Sequence, residues 1–247
     1  GGKDDVAESI KNTPTRTNVA SIDLNEWVAS EASKWLEQGK MVALLGGDHS
    51  TPLGLMYTLA DKYGNIGILQ IDAHMDLREA YEGFENSHAS IMYNALKNKN
   101  VSKLVQVGIR DFCQDEAELA KNSNGRISVY YDQDIKESLM EGSSWKNICD
   151  NIVSDLPDRV YISFDIDGLD PKLCPHTGTP VAGGLEFQEA MYLVKRLVQS
   201  GKTIVGFDLC EVTPGEDEWD ANVGARVLYR LANLMAVSQG KLKLMNS

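Results

Sequence analysis

The chain has 247 residues, 36 acidic against 24 basic side chains, a formal net charge of -12 and 43% hydrophobic residues. That composition supports a sizeable globular core and excludes disorder and fibrous structure. The acidic surplus repels nucleic acid phosphates and anionic lipid headgroups, which leaves a small cationic molecule as the favoured partner.

Residues 1–20 are polar, carry Pro14 and show no apolar period, so a loop or arm is expected there, followed by a single domain over 21–247. Asp23 and Glu26 have capping-box spacing, and Trp27, Glu31, Trp35 and Leu36 carry a helix on to Gly39. MVALL (41–45) then has strand length, and a helix over Leu53 to Tyr63 leads to the strand IGILQI (66–71). A helix from about Ala89 to Lys99, the strand KLVQVGI (103–109), a short helix near Glu116 and the strand RISVYY (126–131) follow. Next come a helix around Trp145 to Leu156, RVYISF (159–164), a helix over Phe187 to Ser200, TIVGF (203–207) and a last helix from about Ala221 to Val237.

Strands that are apolar almost throughout and alternate with amphipathic helices imply a doubly wound, mostly parallel sheet covered on both faces, a three-layer α/β/α fold. No run approaches the roughly 20 apolar residues of a membrane-spanning helix. The opening GGKDDVAESIKN lacks a signal-like apolar stretch, and Cys113, Cys149, Cys174 and Cys210 are too dispersed for a zinc knuckle or a disulfide framework. A cytoplasmic protein with reduced thiols is the expectation.

Ligands of such sheets bind beyond the carboxyl ends of the strands. Polar clusters fall there: GGDHS, DAHMD, the Arg110–Asp111 pair, DIDGLDP and EVTP. Singly, each reads as a turn or a helix cap. Together they bring His49, Asp72, His74, Asp76, Asp165 and Asp167 to one rim. Alternation at i, i+2 and i+4 puts the acids of DAHMD and DID on one side of extended backbone. Four carboxylates so close cannot all stay ionised without cations, and two divalent metals resolve the conflict. A mixed imidazole and carboxylate set without thiolate suits Mn²⁺ first, with Ni²⁺, Co²⁺ and Fe²⁺ as further occupants. Such a pair activates water, so metal-assisted hydrolysis is the expected reaction class.

GGDHS, DAHMD and SFDIDGLDPKLCPHTGTPVAGGL closely resemble the three signature segments of the ureohydrolase family, which includes arginase, agmatinase and guanidine hydrolase. The resemblance covers nearly everything from about residue 20 onward and implies an arginase-like fold, a binuclear manganese centre and trimers or hexamers. By motif position it assigns His49 and Asp76 to one metal and His74 and Asp167 to the other, with Asp72 and Asp165 bridging. It implies hydrolysis of an agmatine- or arginine-like guanidino compound to urea and an amine. Asp76 would pass a proton to the leaving nitrogen, Glu211 would pair with the guanidinium, and His88 would shuttle protons or cap the next helix.

The remaining assignments point in different directions. Thr179 bonds the reacting centre or shapes its turn. DLREAYEGFENSHAS resembles agmatinases, whereas Asp111 resembles an acidic position of arginases. Trp219 either covers a guanidinium face, which favours free guanidine as substrate, or packs the last helix. His176 narrows the pocket or adds a polar contact, and Asp170 fixes its loop. The chain is expected to lack the family's first strand. A deacetylase of related architecture is disfavoured because the histidines are already assigned. Intact Asp76, His88 and Glu211 disfavour an inactive metal-bound scaffold or regulatory subunit.

Overall fold

The computed structural model of the protein describes residues 3–243. Six strands form one sheet: β1 (Ala43–Leu45), β2 (Ile66–Ile71), β3 (Val101–Ile109), β4 (Ile127–Tyr131), β5 (Arg159–Asp165) and β6 (Thr203–Cys210). Their order is β1-β6-β5-β2-β3-β4, and every pairing is parallel. Parallel pairing requires crossovers, and helices supply them.

On one face lie α1 (Lys3–Glu37), α2 (Leu53–Tyr63), α3 (Ile91–Ala95) and α4 (Gln114–Lys121). On the other lie α5 (Asp132–Met140), α6 (Trp145–Ser154), α7 (Phe187–Gln199) and α8 (Trp219–Ser238). Alternation along the strands feeds both layers: Ile66 and Ile68 pack toward α1 and α2, while Leu69 and Ile71 pack toward the α6–α8 side. All six residues of β2 are buried, which is why its sequence is a continuous apolar run broken only by Gly67 and Gln70. Caps follow local chemistry: the Ser144 hydroxyl accepts from Asn147 N at 3.2 Å to start α6, and Glu186 and Glu189 form the capping box of α7.

Three elements differ from the sequence-based expectation. The sequence predicts a loop or arm over 1–20; residues 1–2 lie outside the described residues, and from Lys3 α1 runs through Pro14 and past Asp23, which is therefore an interior position and not a cap. The deciding contacts are tertiary. The Asn18 side chain donates to Gly83 O (3.1 Å) and accepts from Glu85 N (2.9 Å), so a loop 65 residues away holds this stretch of helix. The second difference is α5, which follows β4 directly and buries only Ile135 among its apolar residues; one buried side chain leaves no readable period. The expected helix from Ala89 also shortens to α3 behind a 3₁₀ turn over His88–Ser90.

Candidate metal centre and active site

Because all strands run parallel, the turns after β1, β2, β5 and β6 open on the same rim. They carry His49; Asp72, His74 and Asp76; Asp165 and Asp167; and Glu211, respectively. The turn after β5 packs tightly against β2: a Cβ on Gly168 would lie 2.6 Å from Asp72 N, so only glycine permits this approach. Asp167 reaches across and accepts from Ala73 N at 3.0 Å.

His49 is buried, and its Nδ1 lies 3.2 Å from Asp72 Oδ2, 3.1 Å from Asp76 Oδ2 and 3.3 Å from Asp165 Oδ2. That atom nevertheless makes no hydrogen bond. His74 Nδ1 lies 3.1 Å from Asp167 Oδ2 and 3.5 Å from Asp72 Oδ1. Two groups that could each hold a metal ion result, His49/Asp72/Asp165 and Asp72/His74/Asp167, with Asp72 common to both. Asp76 adjoins the first through the His49 ring.

The protonation behaviour of this cluster shows a shortage of positive charge. Burial and then the charge of Asp72 push Asp76 up to about 7, and burial with Asp167 and Asp72 raises Asp165 well above the usual carboxylate range. Burial opposes charging of His74, yet Asp167 and Asp72 raise it to about 11. Protons are being recruited to balance carboxylates. An imidazole lone pair and carboxylate oxygens converging out of water form a donor set that fits divalent cations.

Asp76 and Glu211 both adopt left-handed backbone, with φ of 54° and 63°. Few residues other than glycine do so, and here each conformation is tied down. Asp76 O accepts from Met92 N (3.1 Å) and Tyr93 N (3.2 Å). Glu211 N donates to Gly47 O (2.8 Å), and Glu211 O accepts from the Thr177 hydroxyl (2.8 Å). The Glu211 carboxylate accepts from His49 N at 2.7 Å, and burial raises its pKa.

Two adjoining clefts meet over the cluster and share His74, Asp76, His88 and Thr179. The inner one adds Asp48, His49, Asp165 and Glu211; the outer one adds Arg78, Tyr81, Asp111 and Glu116. Thr179 Oγ1 donates to Asp167 Oδ2 at 3.3 Å. His88 Nδ1 sits 3.4 Å from Asp48 Oδ2, whose hydrogen bond raises the histidine pKa. Asp111 stands at the exposed mouth, 3.7 Å from His74 Nε2.

Trp219 and His176 line neither cleft. The Trp219 indole donates to Lys172 O at 3.0 Å beside the start of α8. His176 is drawn to the buried Asp220, which accepts from its backbone N and pairs with its Nδ1, both at 2.9 Å. Asp170 caps a 3₁₀ turn by accepting from Lys172 N at 3.0 Å, as expected for a residue that fixes its loop. All four cysteines are free.

Several supporting roles escaped sequence reasoning. Arg110 stitches the loop after β5 by donating to Asp167 O (2.7 Å), Leu169 O (3.2 Å) and Val181 O (2.9 Å). Gln106, Gln70, Ser163 and Asp208 form a fully buried polar row, each in register with the next across β3, β2, β5 and β6. Gln106 Nε2 donates to Gln70 Oε1 (2.6 Å), and Gln70 Nε2 donates to Asp72 Oδ2 (2.8 Å). A polar residue inside each of four apolar strands was the available signal.

Comparison with known proteins matches residues 5–233 to the arginase family. The chain belongs to the arginase family. Membership makes it a hydrolase acting on amidino or guanidino compounds. This arginase-family chain is 34% identical to N(1)-aminopropylagmatine ureohydrolase of Thermus thermophilus over 215 residues, which is 87% of the chain and 69% of that protein. It is 33% identical to agmatinase of Bacillus anthracis over 79% of the chain and 63% of that protein. Among solved structures, the agmatine ureohydrolase of Thermoplasma volcanium superposes with a TM-score of 0.72 at 27% identity, covering 90% of the chain and 70% of that structure. That superposition supports the three-layer α/β/α fold of this chain. Among the described residues no helix is long and apolar enough to cross a membrane.

Proposed function

We propose that this protein cleaves an agmatine-like guanidino compound to urea and an amine at a binuclear metal centre. The observation that carries this reading is the pair of ligand sets joined through Asp72 at the floor of a cleft that also presents Glu211. His49, Asp72 and Asp165 would hold one ion and Asp72, His74 and Asp167 the other, with Asp76 beside the first. Two divalent cations there neutralise the carboxylates and lower the pKa of water toward neutrality. The mixed nitrogen and oxygen donors favour Mn²⁺, ahead of Ni²⁺ and Co²⁺.

The side chains supply the rest. Glu211, held by His49 N, presents its free carboxylate oxygen to the planar guanidinium, which a carboxylate matches in shape and charge. Asp76, facing the cleft, accepts a proton and returns it to the leaving nitrogen. His88, half-exposed at the rim, passes the other proton of the attacking water to solvent. Thr179 keeps Asp167 oriented through its hydroxyl. The acids Asp111 and Glu116 line the outer cleft, where a second cationic group of an agmatine-like substrate would extend. Relatives named agmatinase and aminopropylagmatine ureohydrolase support the same substrate class. Trp219 lies outside both clefts, so the feature that favoured free guanidine is absent from them. We also propose that the chain works as a homo-oligomer, a trimer or hexamer.

Urea release from agmatine, N(1)-aminopropylagmatine, arginine, guanidinobutyrate and guanidine, after loading with Mn²⁺ or Ni²⁺, tests the proposal. The expected order puts an agmatine-type substrate at least about tenfold above arginine in kcat/KM, the equivalent of about 1.4 kcal/mol. No urea from any of the five with either metal would overturn it.

A further inference from the structure

We propose that Asp208 and Ser163 act as positioning residues that hold the His49 ring with its proton on Nε2 and its bare Nδ1 toward Asp72, Asp76 and Asp165. The inference rests on the metal-centre reading above and extends it to groups behind the ligands. Ser163 and Asp208 face each other in register on β5 and β6 and are fully buried, so no bulk water competes for their hydrogen bonds.

Proton counting fixes the direction of the chain. The Ser163 hydroxyl carries one hydrogen and lies 3.2 Å from Asp208 Oδ1 and 2.8 Å from His49 Nε2. Asp208 Oδ1 acts as an acceptor and already receives Phe164 N at 3.3 Å. The Ser163 hydrogen therefore goes to Asp208, and its oxygen must accept from His49 Nε2–H. In a neutral imidazole that leaves Nδ1 unprotonated. Nδ1 is the buried atom without a hydrogen bond among three carboxylate oxygens. A lone pair in that company is repelled unless a cation lies between, so the relay prepares the ring to ligate and keeps it from donating to the acids. Without Asp208 the Ser163 hydroxyl could turn and donate to Nε2, which would move the His49 proton to Nδ1.

Equilibrium dialysis of the full chain against Mn²⁺, with metal analysis, tests the relay without reference to turnover. Ser163→Ala and Asp208→Leu are expected to weaken one of two ions by roughly 10–100-fold and leave the other nearly unchanged. Asp208→Asn, whose amide oxygen still accepts from Ser163, is expected to stay within about threefold of the parent. The relay is overturned if Ser163→Ala binds both ions as tightly as the parent, or if Asp208→Asn loses as much as Asp208→Leu. Should the variants fail to fold, the unaltered chain decides. With ¹⁵N-labelled histidine and Zn²⁺, His49 should show a slowly exchanging Nε2–H, and fast exchange overturns the relay. A parent chain that binds no divalent cation overturns the metal-centre reading itself, whereas two ions held equally well with and without the Ser163 hydroxyl overturn only the relay.

Discussion

The rim over β2, β5 and β6 and the flank made by α1 and β1 are built on opposite principles. At the rim, Asp72, Asp165, Asp167 and His49 are buried, and backbone and side-chain groups of their own and neighbouring strands pair with them. On the flank, apolar groups face water: Trp27 is 63% exposed, Trp35 44% and Leu45 63%, and β1 contributes a three-residue edge strand. Among the described side chains of α1, Val28, Ala32 and Leu36 enter the core. Buried polar groups demand partners in fixed places, whereas exposed apolar groups demand little. The rim should therefore respond sharply to substitution and the flank weakly.

The largest expected effect is at the rim. Asp165→Ala removes one carboxylate of the first ligand set and should leave fewer than two ions per chain, with urea release down at least about 100-fold. Metal analysis after dialysis that still finds two ions would end the assignment. A direct contrast comes next. Leu69→Ala, in the fully buried centre of β2, should cost about 2–5 kcal/mol in urea denaturation, against about 0.5 kcal/mol or less for Trp27→Ala on the flank. Comparable costs at the two positions would dissolve the comparison.

The smallest effect is a pH dependence outside the metal site. The hydrogen bond to Asp220 raises the His176 pKa. A histidine raised on folding contributes stability that is fully present below its unfolded value near 6.5 and is lost as pH climbs through the higher folded value. Asp220→Asn should then lower the melting temperature more at pH 6 than at pH 9.5, since Asn still accepts from the His176 backbone and removes only the charge. An equal deficit at both pH values would show that the pair acts through geometry alone.

Much of the fold was legible because strands buried on both faces must be apolar runs, and IGILQI and RVYISF have few other uses. The histidines and aspartates that meet at the rim were legible because short spacings at strand ends leave a local trace. The polar row was not: a glutamine inside IGILQI or an aspartate inside TIVGFDLC gains meaning only when register sets it beside another strand. The helical course of residues 3–20 was hidden for a related reason, since the Asn18 contacts that hold it lie across the fold. For His176 and Trp219 the sequence leaves alternatives open because a loop's sequence does not say which way its side chains turn; the buried Asp220 and the Lys172 carbonyl hold them outside the clefts.

By itself, then, the sequence determined the α/β alternation and the donor atoms delivered to the rim, through periodicity and turn spacing that operate over a few residues. Only the tertiary structure decided which acids meet, that Asp72 lies in both His/Asp clusters, and that Asp208 lies behind His49. Those facts depend on strand order and register, and both are settled by packing between segments distant in the chain.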